Sequence, residues 1–402
     1  MQVSFILFAE CKERSIKMNN VTKDIINIGV NDHDVDLFEG QYVVELGMAY
    51  NSYVILDEKV AVLDTVDAHF TEEWLGNLKE ALGGRKPDYV VVHHMEPDHA
   101  GSLDTFMKEY PEAVVVSSAK AFVMMQQFFG NDYADRGEVI KEGSVLELGK
   151  HSLSFVAAPM VHWPEVMMSY DAADKVLFSA DAFGKFGAND VEDPEGWSCE
   201  ARRYYFGIVG KYGAQAQAVL KKAASLDIAI ICPVHGPVLN ENLGYYLDLY
   251  QKWSTYTPEN EGVTIAYASV YGNTKKAVEN LAVMLKDKGI KVAVHDLARM
   301  DVPEAIEDAF RYDRLVLATP TYNGDVFPPV KAYIEGLTER NYQNRKIGII
   351  ENGSWAPTAA RVIKKLFEGS KNLTFCESTV TIKSALNAES EAALKALAEE
   401  LA

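Results

Sequence analysis

Tyr89-Val90-Val91-Val92-His93-His94-Met95-Glu96-Pro97-Asp98-His99-Ala100-Gly101 is the stretch on which the reading of this chain turns. An apolar, β-branched run gives way to six residues that carry four potential metal ligands, His94, Glu96, Asp98 and His99. A strand that ends in a short loop aims these side chains into one small volume. Two carboxylates and two imidazoles packed so densely need a cation to compensate them, so the stretch predicts a binuclear metal site. His93 neighbours a ligand but, on a strand, points to the opposite face.

Two ions need more donors, and later strand ends supply them. His162 follows Ala158-Pro159-Met160-Val161, Asp181 closes the run Val176-Leu177-Phe178-Ser179-Ala180, and His235 follows Ile230-Ile231-Cys232-Pro233-Val234. Any one of them alone reads as an ordinary, satisfied loop residue. Together with the six-residue motif, and in this order, they read as a ligand set. His33, His69, His151 and His295 have no such company.

In H-x-E-x-D-H followed by His, Asp and His at later strand ends, the first two thirds of the chain resemble the metallo-β-lactamase fold, and specifically the flavodiiron proteins. The resemblance implies an αββα sandwich in which His94, Glu96 and His162 hold one iron, Asp98, His99 and His235 the other, and Asp181 bridges them. Zinc hydrolases of this fold usually carry a histidine where Glu96 stands. Three carboxylates and four imidazoles form a harder, more anionic set that suits iron. Glu96, Asp98, Asp181 and one bridging hydroxide would cancel the four charges of two ferrous ions.

After the helical stretch Leu243 to Trp253, the polar, breaker-rich segment Ser254 to Gly262 reads as a linker. The expected division is residues 1–253 for the metal domain, 254–262 for the linker and 263–402 for a second domain. There, strand and helix alternate: Val263 to Ala268, Lys275 to Lys288, Lys291 to Val294, Val302 to Phe310, Arg314 to Ala318, Val330 to Leu337, Lys346 to Glu351 and Ala359 to Leu366. Such alternation predicts an α/β doubly wound domain with a parallel sheet.

Its first strand ends in Ser269-Val270-Tyr271-Gly272-Asn273-Thr274 and runs straight into a helix, so N–H groups and hydroxyls converge on an anion at a helix N-terminus. The segment is neither a Walker loop nor G-x-G-x-x-G. It resembles the flavodoxin phosphate loop, which wraps the phosphate of FMN. Thr319-Pro320-Thr321-Tyr322-Asn323-Gly324 and Asn352-Gly353-Ser354-Trp355-Ala356 follow two later strands. In flavodoxin-like domains loops of this kind flank the flavin where strand order reverses; Tyr322 or Trp355 is read as stacking on it, with simple packing as the alternative. Ser354-Trp355-Ala356-Pro357 departs from the family's usual Tyr-Gly-Trp. A second departure places Glu39, in Phe38-Glu39-Gly40, where many members line the pocket with histidine. Glu39 is read as a plain surface residue, with an extra ligand or a proton relay as alternatives. Tyr204 and Tyr205 are read as buried helix aromatics, with a hydrogen bond into the pocket as the alternative.

At 402 residues with 48% hydrophobic composition, the chain has apolar material for two cores. A net charge of −19 argues against nucleic acid or an anionic membrane as partner. The start, Met1 to Glu10, lacks a basic leader and a spanning run. With that start the cytoplasm is the default expectation. Four cysteines, Cys11, Cys199, Cys232 and Cys376, show no C-x-x-C spacing, so no disulfide framework is expected.

A hydrolase has no use for FMN and a flavodoxin none for two irons. Their fusion therefore predicts a terminal reductase in which FMN feeds the diiron site, with O₂ reduced to water or NO to N₂O. No rubredoxin-like module is present, so the donor is expected to be separate; the resemblance implies rubredoxin, itself reduced by an NAD(P)H-dependent flavoprotein. It also implies a head-to-tail homodimer, or a dimer of dimers, that sets one chain's FMN beside the other's irons. The competing readings are a dinuclear zinc hydrolase with a docking flavodoxin domain, and an electron carrier or gas sensor whose metals are structural.

Overall fold

The computed structural model describes residues 19–402. The segment Met1 to Glu10, together with Cys11, lies outside the described residues.

Seven strands form the first sheet, in the order β1 (Asn19–Asn20), β2 (Ile25–Asn27), β3 (Tyr53–Leu56), β4 (Val60–Leu63), β5 (Tyr89–Val91), β6 (Val114–Ser118) and β7 (Gly137–Ile140). Pairing is antiparallel from β1 to β4 and parallel from β4 to β7. A second sheet runs β8 (Val145–Glu147), β9 (Ser152–Ala157), β10 (Met167–Asp171), β11 (Val176–Phe178) and β12 (Ile230–Cys232), with only β11 and β12 parallel.

Side-chain alternation assigns the faces. Ile55, Ala61, Leu63, Val91 and Val116 meet Leu153, Phe155, Met167, Val176 and Phe178 in a core between the sheets. Val54, Val62, Val90 and Val115, one residue out of phase, join Trp74 and Leu78 of α1 (Thr71–Leu82) and Phe122 and Met125 of α2 (Ala119–Phe129). Met168, Tyr170, Leu177 and Ile231 belong to the same outer core as α3 (Trp197–Tyr204) and α4 (Gly213–Ala223). The expected αββα sandwich is borne out. Burial on both faces also explains why Val90 to Val92 is an unbroken apolar run.

Helix α5 (Leu243–Ser254) leads to the third sheet, whose strands are β13 (Asn260–Tyr267), β14 (Val292–Asp296), β15 (Tyr312–Tyr322), β16 (Lys346–Asn352) and β17 (Thr374–Ile382). Their order is β14-β13-β15-β16-β17, and all these pairings are parallel. Helices α6 (Asn273–Asp287) and α10 (Ala388–Glu400) pack on one face, and α7 (Val302–Arg311), α8 (Pro328–Glu339) and α9 (Ala359–Leu366) on the other. This is the flavodoxin-like order, with its switch point between β13 and β15. Strand β17 and helix α10 lie beyond the alternation read from sequence. The edge strand β17 mixes Glu377, Ser378 and Thr379 into its apolar positions, which hides its period. Strand β13 starts at Asn260 rather than Val263, because Asn260 pairs with Tyr312 across a register shift.

Helix α3 joins the two halves. Arg202, 2% exposed, donates to Glu307 of α7 and to both oxygens of Glu259, with Nη2 to Oε2 at 3.1 Å. Glu259 also accepts from Trp253 Nε1 at 2.5 Å. Four residues on, Phe206 stacks on Phe310 at 3.9 Å, and Arg340 Nε donates to the Phe206 carbonyl at 2.8 Å. Burial pushes the Glu307 carboxyl up to about 8, although Arg202 opposes the shift. Removing the guanidinium would leave two buried carboxylates facing each other. Arg202→Ala is therefore expected to cost roughly 3–5 kcal/mol of stability, read by chemical denaturation.

Candidate metal centre and flavin crevice

Strand β5 stops at Val91, and Glu96 is extended at φ −61°, ψ 137° before Pro97 opens the short turn Pro97–Ala100. Proline suits the first helical position because its missing N–H has no partner to lose there. The turn carries Asp98 and His99 back under the strand ends. His162 follows β9, Asp181 follows β11 and His235 follows β12. Of these seven residues His94, His99, Asp181 and His235 are fully buried, and the other three are at most 9% exposed.

The seven fall into two sets. In one, Glu96 Oε2 lies 3.2 Å from His94 Nε2 and 2.9 Å from His162 Nε2, and Asp181 Oδ2 lies 3.7 and 3.9 Å from the same two nitrogens. In the other, Asp98 Oδ2 lies 3.3 Å from His99 Nε2 and 3.2 Å from His235 Nε2, and Asp181 Oδ1 is 3.4 and 3.6 Å from them. Asp181 thus offers one oxygen to each set.

Outer partners set the tautomers. His94 Nδ1 is 2.7 Å from Glu165 Oε1, and His235 Nδ1 is 2.7 Å from the Ala49 carbonyl. Each acceptor takes the ring proton on Nδ1, so in the neutral ring each Nε2 presents a lone pair to the cluster. A lone pair then faces a carboxylate oxygen at His94, and the two Nε2 atoms of His99 and His235 sit 3.0 Å apart. Both oxygens of Asp98, together with Asp181 Oδ2, are buried without a hydrogen-bond donor. Lone pairs converging on lone pairs call for cations between them, so the donor set fits two metal ions.

The charges say the same. Burial, joined by Glu96 and Asp181 against the pull of His99, pushes the Asp98 carboxyl up to about 7. Burial also disfavours ionised Glu96 and Asp181, yet in the metal-free protein these carboxylates push His94 and His162 up, and the protonated rings hold Glu96, and with His99 hold Asp181, below the usual carboxylate range. Burial drives His235 down.

Glu165 and Asn51 went unnoticed in the sequence. Asn51 Nδ2 donates to the Pro233 and Gly236 carbonyls at 2.9 and 2.7 Å, which holds the loop that carries His235. Neither residue has a motif to give it away. Tyr204 is more than a packing residue, because its hydroxyl donates to Asp181 Oδ1 at 2.8 Å. Tyr205, one helical step away, packs on Tyr250 and Trp253 as expected. Glu39 is on the surface, as read from sequence, but it also faces the pocket. Its residue is exposed, but its carboxylate sits with Glu96 and His162 with ligand atoms all within 4.8 Å, and burial and Glu96 push it up to about 7. His93 turns away to Asp64 and Ser169, at 2.6 and 2.8 Å. His33, His69 and His295 pair with Asp190, Asp67 and Asp308 outside the cluster. His151 does the same with Asp171.

At the switch point of the third sheet, the three loops read from sequence line a cavity of about 650 Å³. Ser269, Tyr271, Asn273 and Thr274 form one wall, Pro320 to Gly324 a second, and Gly353, Ser354 and Trp355 a third. Gly272 does not line it but makes the turn, at φ +89°, with its N–H on Ser269 Oγ at 3.1 Å. Asn352, Thr358 and Ser384 line it as well. No side chain caps α6, so its first N–H groups stay free for an anion. Asn352 ties the walls together through Thr274 and Ser384. Tyr271 and Trp355, both 92% exposed, flank the opening, whereas Tyr322 leans on Phe327 at 5.2 Å. The crevice fits a flat ring system carrying a phosphate.

A carboxyl raised in the fold keeps a proton that the unfolded chain has lost, so Asp98 makes the metal-free fold less stable as pH climbs from 3.8 toward about 7. Metal binding displaces that proton. The rise in thermal midpoint on adding ferrous iron anaerobically is therefore expected to grow between about pH 6 and about pH 8, and Asp98→Asn to flatten this growth. In the crevice, Ser269→Ala is expected to weaken FMN binding about tenfold, measured by quenching of flavin fluorescence.

Residues 48–236 match the ODP family beta lactamase, and residues 264–374 match a flavodoxin domain. An anaerobic nitric oxide reductase flavorubredoxin of Escherichia coli O1:K1 / APEC is 30% identical over 353 residues, spanning 84% of this chain and 73% of that protein. Rubredoxin oxygen:oxidoreductase of Desulfovibrio gigas superposes with a TM-score of 0.88 at 25% identity, covering 96% of this chain and 98% of its own. The flavodiiron protein of Giardia intestinalis superposes with a TM-score of 0.89, also at 25% identity, over 96% and 97%. With two buried donor sets joined by Asp181 in one half and a flavin-shaped crevice in the other, this chain belongs to the flavodiiron protein family.

Proposed function

We propose that this protein is a flavodiiron gas reductase, in which FMN passes electrons to a nonhaem diiron site that reduces O₂ to water and NO to N₂O. The observation that carries the reading is the pair of donor sets sharing Asp181, in a chain that also builds the flavin crevice. His94, Glu96 and His162 are assigned to one iron, Asp98, His99 and His235 to the other, and Asp181 to both. Residues 1–253 are taken as the diiron domain, 254–262 as the connector and 263–402 as the FMN domain, which accords with family matches that end at 236 and resume at 264.

FMN and the iron pair supply the redox chemistry when bound. The chain's own groups orient and protect it. Glu165 and the Ala49 carbonyl hold the His94 and His235 rings at fixed tautomers. Tyr204 keeps a proton on its hydroxyl, directed at Asp181 Oδ1, since burial and Asp181 push it well above its ordinary value. A depression of about 680 Å³ bordered by Phe38, Tyr50, Phe70 and Glu39 opens over Glu96 and Asp98. Phe38 sets its ring edge-on to His235 at 5.5 Å and screens that imidazole from solvent. Four electrons and four protons turn O₂ into two waters, and two of each turn two NO into N₂O and water.

The flavin crevice and this depression share no lining residue. A head-to-tail homodimer, which sets one chain's flavin against its partner's metal site, bridges that separation, and the exposed Tyr271 and Trp355 suit such a contact. Rubredoxin, the partner in the Desulfovibrio protein's name, is the proposed type of donor. Among the described residues no helix is long and apolar enough to cross a membrane, and Cys199, Cys232 and Cys376 are free. The free thiols accord with a cytoplasmic setting.

Anaerobically reduced holoprotein mixed with O₂ or NO is expected to reoxidise its flavin rapidly in stopped flow, and Asp181→Asn to abolish gas consumption. Flavin that stays reduced would overturn the reading. Activity per chain is expected to fall on dilution below the dimer's dissociation constant, followed beside light scattering.

A further inference from the structure

We propose that Glu39 is a carboxylate donor to the metal position formed by His94, Glu96 and His162, an assignment that rests on the diiron reading above. The residue sits at the tip of a small antiparallel ribbon, in which Leu37 and Phe38 pair with Val43 and Tyr42. Both tip residues, Glu39 at φ 49° and Gly40 at φ 67°, are left-handed. The two left-handed residues turn the chain so that the Gln41 N–H closes on the Phe38 carbonyl at 3.1 Å, and glutamate is a costly choice there, by about 1 kcal/mol against glycine.

The ribbon is anchored from below. Phe38 packs on Phe186, Tyr204 and His235 at ring distances of 5.6, 6.4 and 5.5 Å, and the Tyr42 hydroxyl donates to the Gly207 carbonyl at 2.9 Å. Gln41 Nε2 donates to Glu39 Oε2 at 3.1 Å and steadies the carboxylate. An oxygen of Glu39, one of Glu96 and a nitrogen of His162 all lie within 4.8 Å of one another. A second observation points to the same space. Asp181 Oδ2, fully buried and without a hydrogen-bond donor, turns toward His94 and His162.

Counting donors, the Glu96 position gains Glu39 as a fifth, while the Asp98 position keeps Asp98, His99, His235 and Asp181. Counting charge, Glu39, Glu96, Asp98 and Asp181 carry four negative charges, which balance two ferrous ions without a further anion. The two metal positions are therefore unequal, and Glu39 is what makes them so.

The test is an anaerobic titration of metal-free, FMN-loaded protein with ferrous iron, followed by calorimetry and by Mössbauer spectra of the ⁵⁷Fe-loaded form. The wild type is expected to bind two irons in separable steps. Glu39→Gln, isosteric and on an exposed tip, is expected to weaken one step about tenfold and to alter one of two quadrupole doublets, leaving the other step unchanged. Gln41→Leu, which only frees the carboxylate, is expected to weaken the same step by less. Two irons bound by Glu39→Gln with wild-type affinities and spectrum would overturn the assignment. A wild type that takes up no iron pair would overturn the diiron reading, and the assignment with it.

Discussion

The structure depends on a burial that its own groups cannot make favourable. Three carboxylates and four imidazoles sit in one pocket, with the Nε2 atoms of His94 and His235 directed at carboxylate oxygens. In a medium that screens charge poorly, such an arrangement is expensive unless cations stand among the donors. Every nearby element serves that need. Four strand ends and a proline-started turn deliver the donors, and Glu165, Ala49 and Asn51 hold them from behind.

The same logic governs the contact between the halves at a smaller scale. Arg202 is buried among Glu259 and Glu307, where its charge is met on two sides, and the aromatic stack of Phe206 on Phe310 closes the surface around it. Successive helical residues point about 100° apart, so α3 and the turn after it can serve two masters. Tyr204 faces Asp181 inside the metal pocket, while Arg202 and Phe206 face the flavodoxin-like layer. One short helix thus links the geometry of the metal pocket to the placement of the flavin half.

Much of the site was legible in the primary chain because its donor side chains are carried at strand ends, where hydrophobic runs stop abruptly and polar residues stand out. His94 to His99 could be read as a group since four donors lie within six residues. His162, Asp181 and His235 needed their order to be recognised. Glu165 and Asn51 could not be found this way, because a single polar residue carries no pattern until the chain folds it against a partner. Tyr204 and Tyr205 are neighbours of identical type, and only their angle on the helix separates a hydrogen bond to Asp181 from a packing contact.

Glu39 shows the same limit most clearly, for a glutamate beside a glycine reads as a solvated turn, and the ribbon's packing on His235 is what swings its carboxylate over Glu96. By itself the chain's order of residues determined the two layer types, the seven buried donors and the three flavin loops, since periodicity and local spacing encode them. The sharing of Asp181 between two donor sets, the tautomers set by Glu165 and Ala49, and the joining of the halves through Arg202 were decided only in three dimensions. Each of them is a contact between residues far apart in the chain, and no local pattern can specify a distance.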